Sequence, residues 1–294
     1  MKVIPLAAES LGVRSMATYV EVGRTGILID PGATLAPSRF RLPPAEEEWE
    51  ALRRANDRIS AYATRSSFVF VSHYHEDHFR SGPRVVRRAA RAPEGPAAHD
   101  RRAAGPAGRR APGRRSRARR GSRARTGSSG AKPTSSSTSR PPLPHGLDGT
   151  PFGSVVVLTI VDPAERERFV FASDLQGPAS PVAAAYLVQQ RPTLLYVSGP
   201  VSYLEREVGR DAIERAPSTS SRGSSTLTGC RVIMDHHALR DPRFAERFAR
   251  LWETGRVVTA AAFLGLADAS LESRRNRAWA ATRKAAGAGG EAAC

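Results

Sequence analysis

Short apolar runs bounded by turn residues recur along the chain, and each predicts a strand. The first pair lies in residues 17–30: Ala17 to Val22, a turn at Gly23-Arg24-Thr25-Gly26, and the return Ile27-Leu28-Ile29. Phe68-Val69-Phe70-Val71 reads as a buried strand. Further strands are expected at Ser154 to Val161, Phe169 to Phe171, Thr193 to Val197, Arg231 to Met234 and Val257 to Thr259. Helical spacing separates them. Over 45–64, Trp49, Leu52, Ala55, Ile59 and Tyr62 fall three or four apart, and Glu46, Glu47 and Glu48 stand in the first turn, where the helix dipole favours acids. Other helices are expected near Pro181, from Tyr203 to Ala216, and after Asp241-Pro242, with Phe244, Phe248, Leu251 and Trp252 inward. Leu271 to Lys284 reads as a basic helix with a solvated face. Interleaved strands and helices in 294 residues suit one domain of the α/β class.

The pattern fails over residues 91–140, which contain no Ile, Leu, Val, Met, Phe, Tyr or Trp. Arg, Gly, Ala, Pro and Ser dominate, and disorder is expected, because nothing there offsets the entropy of ordering. The segment carries +12 of the chain's formal net charge of +17, so the basic character is local rather than global. It is the product of GC-rich coding sequence read out of frame, an inert linker, or a basic arm for nucleic acid. Such an arm has no aromatic residues for base stacking, so its binding would be electrostatic and salt-sensitive. Residues 217–228 are again low in complexity. Cys230 and Cys294 form no Cys-x-x-Cys pair. No apolar run is long enough to span a membrane, and the opening residues lack a signal peptide's apolar centre, which places the chain in the cytoplasm as an expectation.

Candidate chemistry sits at strand ends. Phe68 to Val71 delivers Ser72-His73-Tyr74-His75-Glu76-Asp77-His78. His73 and His75 flank one residue, so a turn can aim both imidazoles at one point. Asp77 and His78 can face a second point nearby. Neutral imidazole and carboxylate are the ligands that zinc and similar divalent ions take. Six of the seven histidines fall in three such groups: His73, His75 and His78, then His145, then His236 and His237.

The His-x-His-x-Asp-His motif after a strand resembles the signature of the metallo-β-lactamase superfamily of hydrolases. The opening Met1 to Leu6 and Glu9 to Thr18 resembles a largely archaeal branch of it. The likeness covers about 1–90, 141–215 and 229–285. It implies an αββα sandwich, built as one domain from 1–90 and 141–285, with 91–140 inserted and 286–294 a flexible tail. It also implies two divalent ions, zinc foremost. His145 would complete the first site with His73 and His75. Asp174 would bridge the ions; its other reading is the cap of the helix near Pro181. His236 would complete the second site with Asp77 and His78, leaving His237 substrate-facing or packed. Asp30 matches the aspartate that supports the metal loop; its other reading is a turn residue before Pro31. Arg240 would clamp an anionic substrate group, or pair with Asp241 at the surface.

The expected activity is metal-dependent hydrolysis by a divalent-metal-activated hydroxide, with Asp77 orienting it and passing a proton. The substrate is a small molecule or a phosphodiester; thioesters, lactones, β-lactams and phosphodiesters all occur in the superfamily. The alternatives are a metal-binding protein without activity and a nucleic-acid binder acting through the basic segment.

Overall fold

The computed structural model of the chain describes residues 1–80, 136–139, 142–210 and 229–290. Strands β1 (Lys2–Pro5), β2 (Thr18–Val22), β3 (Thr25–Ile29) and β4 (Phe68–Phe70) form one sheet in that order. Strands β5 (Ser136–Ser139) to β12 follow: β6 (Leu143–Pro144) and β7 (Ser154–Val155) pair alone, while β8 (Leu158–Asp162), β9 (Glu167–Phe171), β10 (Leu194–Val197), β11 (Arg231–Met234) and β12 (Val257–Val258) join β5. The second sheet runs β12-β11-β10-β9-β8-β5, parallel from β9 to β12.

Alternation along each strand sorts side chains between layers, because successive residues face opposite sides of a sheet. Phe169 and Phe171 of β9, Tyr196 of β10 and Ile233 of β11 face Val20, Val22, Ile27 and Ile29 of the first sheet. Val170, Leu195, Val197, Val232 and Met234 face the other way, onto Ala183, Tyr186 and Leu187 of α2 (Pro181–Gln190). Tyr19 and Leu28 face outward onto Ala51, Ala55 and Ile59 of α1 (Glu46–Ala63). Helix, sheet, sheet and helix therefore stack as the expected αββα sandwich.

Several expectations change. Trp49 is 44% exposed, and the buried stripe of α1 is instead Glu48, Ala51, Ala55, Ile59 and Ala63. The helix is rotated because Glu48 is held by Arg275, with Nε and Nη2 each 2.8 Å from its carboxylate oxygens. Glu48 also accepts from the Ala45 amide at 2.9 Å, closing the first turn. Arg275 opens α3 (Arg275–Gly290), so this helix is not merely solvated, and it continues past Ala285, where fraying is expected. Phe68 is 47% exposed, since β4 has only β3 beside it among the described residues. The strand expected over 154–161 breaks into β7 and β8, and the helix after Pro242 breaks into two turns, Phe244–Arg247 and Ala249–Trp252. Residues 136–139, inside the stretch expected to be disordered, pair antiparallel with β8. The rest of 91–140, residues 217–228 and the helix expected beyond 210 lie outside the described residues, as do 291–294. No described helix is long and apolar enough to cross a membrane.

Candidate metal centre

The chemical residues emerge where strands end, at one edge of the sandwich. Asp30 follows β3, the 72–78 loop follows β4, His145 follows β6, Asp174 follows β9, and His236 and His237 follow β11. Asp30, Ser173 and His236 all take the left-handed backbone conformation, with φ of 45°, 40° and 57°. Non-glycine residues rarely do so, and the turns at these strand ends hold the strain.

Asp30 anchors the 72–78 loop. Its Oδ1 accepts from the Ser72 amide at 2.7 Å; its Oδ2 accepts from the Ser72 hydroxyl at 2.6 Å and lies 2.8 Å from His78 Nδ1. The Ser72 hydroxyl also contacts His73 Nδ1 at 2.9 Å and the Ser173 hydroxyl at 2.8 Å. Both histidines thus have one ring nitrogen engaged from behind, which turns the other forward. Asp30 is more than a turn residue before Pro31.

Asp174 is the hub. Its Oδ2 lies 3.1 Å from His145 Nε2, 3.4 Å from His78 Nε2, and 3.6 Å from both His73 Nε2 and His237 Nε2. Its Oδ1 lies 3.7 Å from His236 Nε2. The cap of α2 is Ser180, not Asp174. His145 is positioned by Gly146, whose φ of +84° and lack of a side chain admit Gln176; that amide reaches 3.4 Å from His145 Nδ1.

Among the described residues the donors form four overlapping groups. His73, His75, His145 and Asp174 make the first cluster and Asp77, His78 and His236 the second; Asp174 also groups with His236 and His237, and Asp30 with His73 and His78. His73 and His75 approach to 3.0 Å between Nε2 and Nδ1. His75 is exposed and Asp77 half-buried, so the cluster opens to solvent on their side. The rings of His236 and His237 stack at 4.6 Å, which keeps His237 against the hub rather than apart from it.

Arg240 is not paired with Asp241 at the surface. It is buried, donates from Nε to Glu9 at 2.7 Å, and reaches Asp77 Oδ2 at 3.2 Å through Nη2. Asp241 pairs instead with Arg247 and accepts from the Ser202 hydroxyl. Glu9, Ser72, Ser173 and Asp235 were missed in the sequence. Asp235 accepts from the amides of Ser10, His236 and Ala260, fixing the turn that carries His236. For Glu9 the available signal was an acid standing alone in an apolar run.

Burial drives His73 down to about 2 and His237 to about 3, and it holds His236 well below its usual range, aided by Arg240. These rings are neutral, the form that binds metal. Despite burial, Asp174 and Asp30 hold His78 well above its ordinary value. Burial opposes ionisation of Asp174, but the surrounding histidines outweigh it and keep the carboxyl well below its usual range. The donor set fits a divalent cation: the neutral rings of His73, His236 and His237 stand beside an ionised carboxylate, and His78 would release its proton on binding one. His78 Nε2 and Asp174 Oδ1 support the fit, being buried with no hydrogen-bond partner.

Comparison with known proteins agrees with this geometry. The Metallo-beta-lactamase superfamily profile matches residues 12–167. A UPF0282 protein of Methanopyrus kandleri is 34% identical over 292 residues, covering 94% of this chain and 98% of that protein. One from Pyrococcus abyssi is 35% identical, covering 94% and 91%, and one from Pyrobaculum arsenaticum is 33% identical, covering 97% and 96%. No solved structure matches the chain significantly. With the four-layer sandwich and the histidine clusters at its edge, these matches show that the chain belongs to the metallo-β-lactamase superfamily, alongside the largely archaeal UPF0282 proteins.

Proposed function

We propose that this chain is a metal-dependent hydrolase that holds divalent ions, zinc foremost, between its two donor clusters. The observation that carries the reading is one buried carboxylate, Asp174, within 3.7 Å of imidazole nitrogens from five histidines in three remote segments. Structural ion pairs do not need imidazoles from three remote segments gathered around one buried acid; nitrogen and oxygen donors clustered in this way suit a divalent ion. His73, His75, His145 and Asp174 would hold the first ion, and Asp77, His78, His236 and Asp174 the second. When bound, such ions supply a nucleophilic hydroxide near neutral pH and polarise the substrate oxygen.

The chain's own residues supply orientation and proton handling. Asp30 fixes His78 and the Ser72 backbone, and Ser72 fixes His73. Asp77, half-buried at the mouth, is placed to orient the attacking water and accept its proton. Burial pushes its carboxyl up, but His78 and Arg240 outweigh this and keep it ionised. Phe152 is exposed and its ring lies 5.8 Å from His145, giving the mouth an apolar rim on that side. That rim suits a substrate with an apolar or aromatic group beside its scissile ester, thioester, lactone or phosphodiester bond.

The test is turnover of an aryl phosphodiester, a thioester and a lactone by metal-loaded protein. Metal-dependent turnover of one of them, reduced about 100-fold or more in Asp77→Asn, is expected. Ion-loaded, folded protein that turns over none of them contradicts the hydrolase reading.

A further inference from the structure

Arg240 belongs to the 3-10 turn His236–Arg240 and is buried behind the second donor cluster. Its Nη2 lies 3.2 Å from Asp77 Oδ2 and against the His236 ring, 3.1 Å from Nε2 and 3.4 Å from Nδ1. Asp77 Oδ2 and His236 Nε2 lie 3.5 Å apart, and Asp77, His78 and His236 form one group of possible ion donors. A guanidinium nitrogen therefore already stands against two residues of the second cluster. It is held there from behind, because Nε donates to Glu9 at 2.7 Å and Nη1 contacts the Tyr203 hydroxyl at 3.4 Å. At the first cluster no arginine or lysine contact is found among the described residues: His73 and His145 touch the Ser72 hydroxyl, the Gln176 amide, His75 and Asp174, and Asp174 is met only by histidine rings, His78 at 3.4 Å among them.

We infer that the two ion positions are unequal, and that Arg240 sets the difference. This rests on the metal reading above. A guanidinium cannot give up its proton, so its charge is fixed. It cancels part of the negative charge that Asp77 offers a dication, and it repels that dication directly. It also engages a carboxylate oxygen of Asp77, a group that an ion would take at about 2.0–2.2 Å. The first ion is resident, held by His73, His75, His145 and Asp174. The second position binds weakly and exchanges, and Arg240 supplies positive charge beside the reacting centre whether or not that position is filled.

The experiment compares ion retention in wild type, Arg240→Met and Arg240→Gln. Each is purified, loaded with excess zinc, passed through a desalting column and analysed by plasma mass spectrometry. Stepwise cobalt titration, followed by visible absorption, gives the two affinities. Wild type is expected to retain one ion per chain and to bind the second at least about tenfold more weakly than the Arg240 variants, which should retain two. Arg240→Gln keeps a donor for Glu9 without the charge. If Arg240→Met does not fold because Glu9 is left alone, the double variant Glu9→Gln/Arg240→Met removes both charges and carries the same expectation. Two ions of equal affinity in wild type, or an unchanged second affinity in every folded Arg240 variant, overturns the inference and leaves the metal reading intact. Folded wild type that binds no ion overturns both.

Discussion

Asp30→Asn isolates the support of the metal loop from its ligands. The wild-type carboxylate takes the Ser72 amide on Oδ1, and the Ser72 hydroxyl and His78 Nδ1 on Oδ2, all within 2.8 Å. Asparagine keeps one acceptor, which can still serve the Ser72 amide. Its NH2 replaces Oδ2 and faces the His78 ring N–H, donor to donor. The loss is one charge-assisted hydrogen bond, worth about 1.5–3 kcal/mol, plus a buried donor left unpaired, about 1–3 kcal/mol. The total expected is about 3–5 kcal/mol of stability in the metal-free protein. His78 also loses the partner that fixes its ring, so ion affinity at its cluster should fall about 10–100-fold. Urea unfolding of metal-free protein measures the first effect, and isothermal zinc titration the second. A variant that unfolds at the wild-type urea concentration and binds zinc as wild type does would refute Asp30 as the anchor.

Acid should destabilise the metal-free protein. His73 at about 2, His237 at about 3 and His236 well below its usual range resist protons that the unfolded chain takes up near 6.5, so their stabilisation is full above about 6.5 and falls as pH drops below it. His78, held high, acts oppositely: its contribution is present below 6.5 and is lost as pH rises through its folded value. Below 6.5 His78 is protonated in both states and adds no slope, so the three depressed rings set it: urea unfolding should report a loss approaching about 4 kcal/mol per pH unit below 6.5, and a flat profile would contradict the assignment of neutral rings. Away from the site, Glu48→Gln should cost about 3–5 kcal/mol in thermal or urea unfolding, because it leaves the Arg275 charge buried without its partner. A change under about 1 kcal/mol would mean that the pair does not hold α1 against α3.

Most of the sheet framework was legible, because strand alternation and turn residues are local. Phe169-Val170-Phe171 and Arg231 to Met234 needed no partner to be recognised. The metal loop was legible because His73, His75, Asp77 and His78 crowd into a few residues. His145, Asp174 and His236 stand alone in sequence and were reached through resemblance to a family, since nothing local brings them to one point. The unread features were long-range ion pairs. Glu48 and Arg275 are 227 residues apart, so the apolar stripe put Trp49 inward where a paired acid actually lies. Glu9 and Arg240 are 231 apart, and neither residue's local surroundings reveal the other. A buried charge is readable only from its partner, and the partner is set by the fold.

The central claim is that His73, His75, His145 and Asp174, drawn from separate segments, hold a divalent ion. X-ray absorption at the zinc edge of the zinc-loaded protein, alongside His145→Ala, tests it most directly. The account predicts imidazole and carboxylate scattering without sulfur in wild type, and loss of bound zinc or of one imidazole in the variant. Zinc that is absent from folded wild type, bound through sulfur, or identical in both proteins would contradict it.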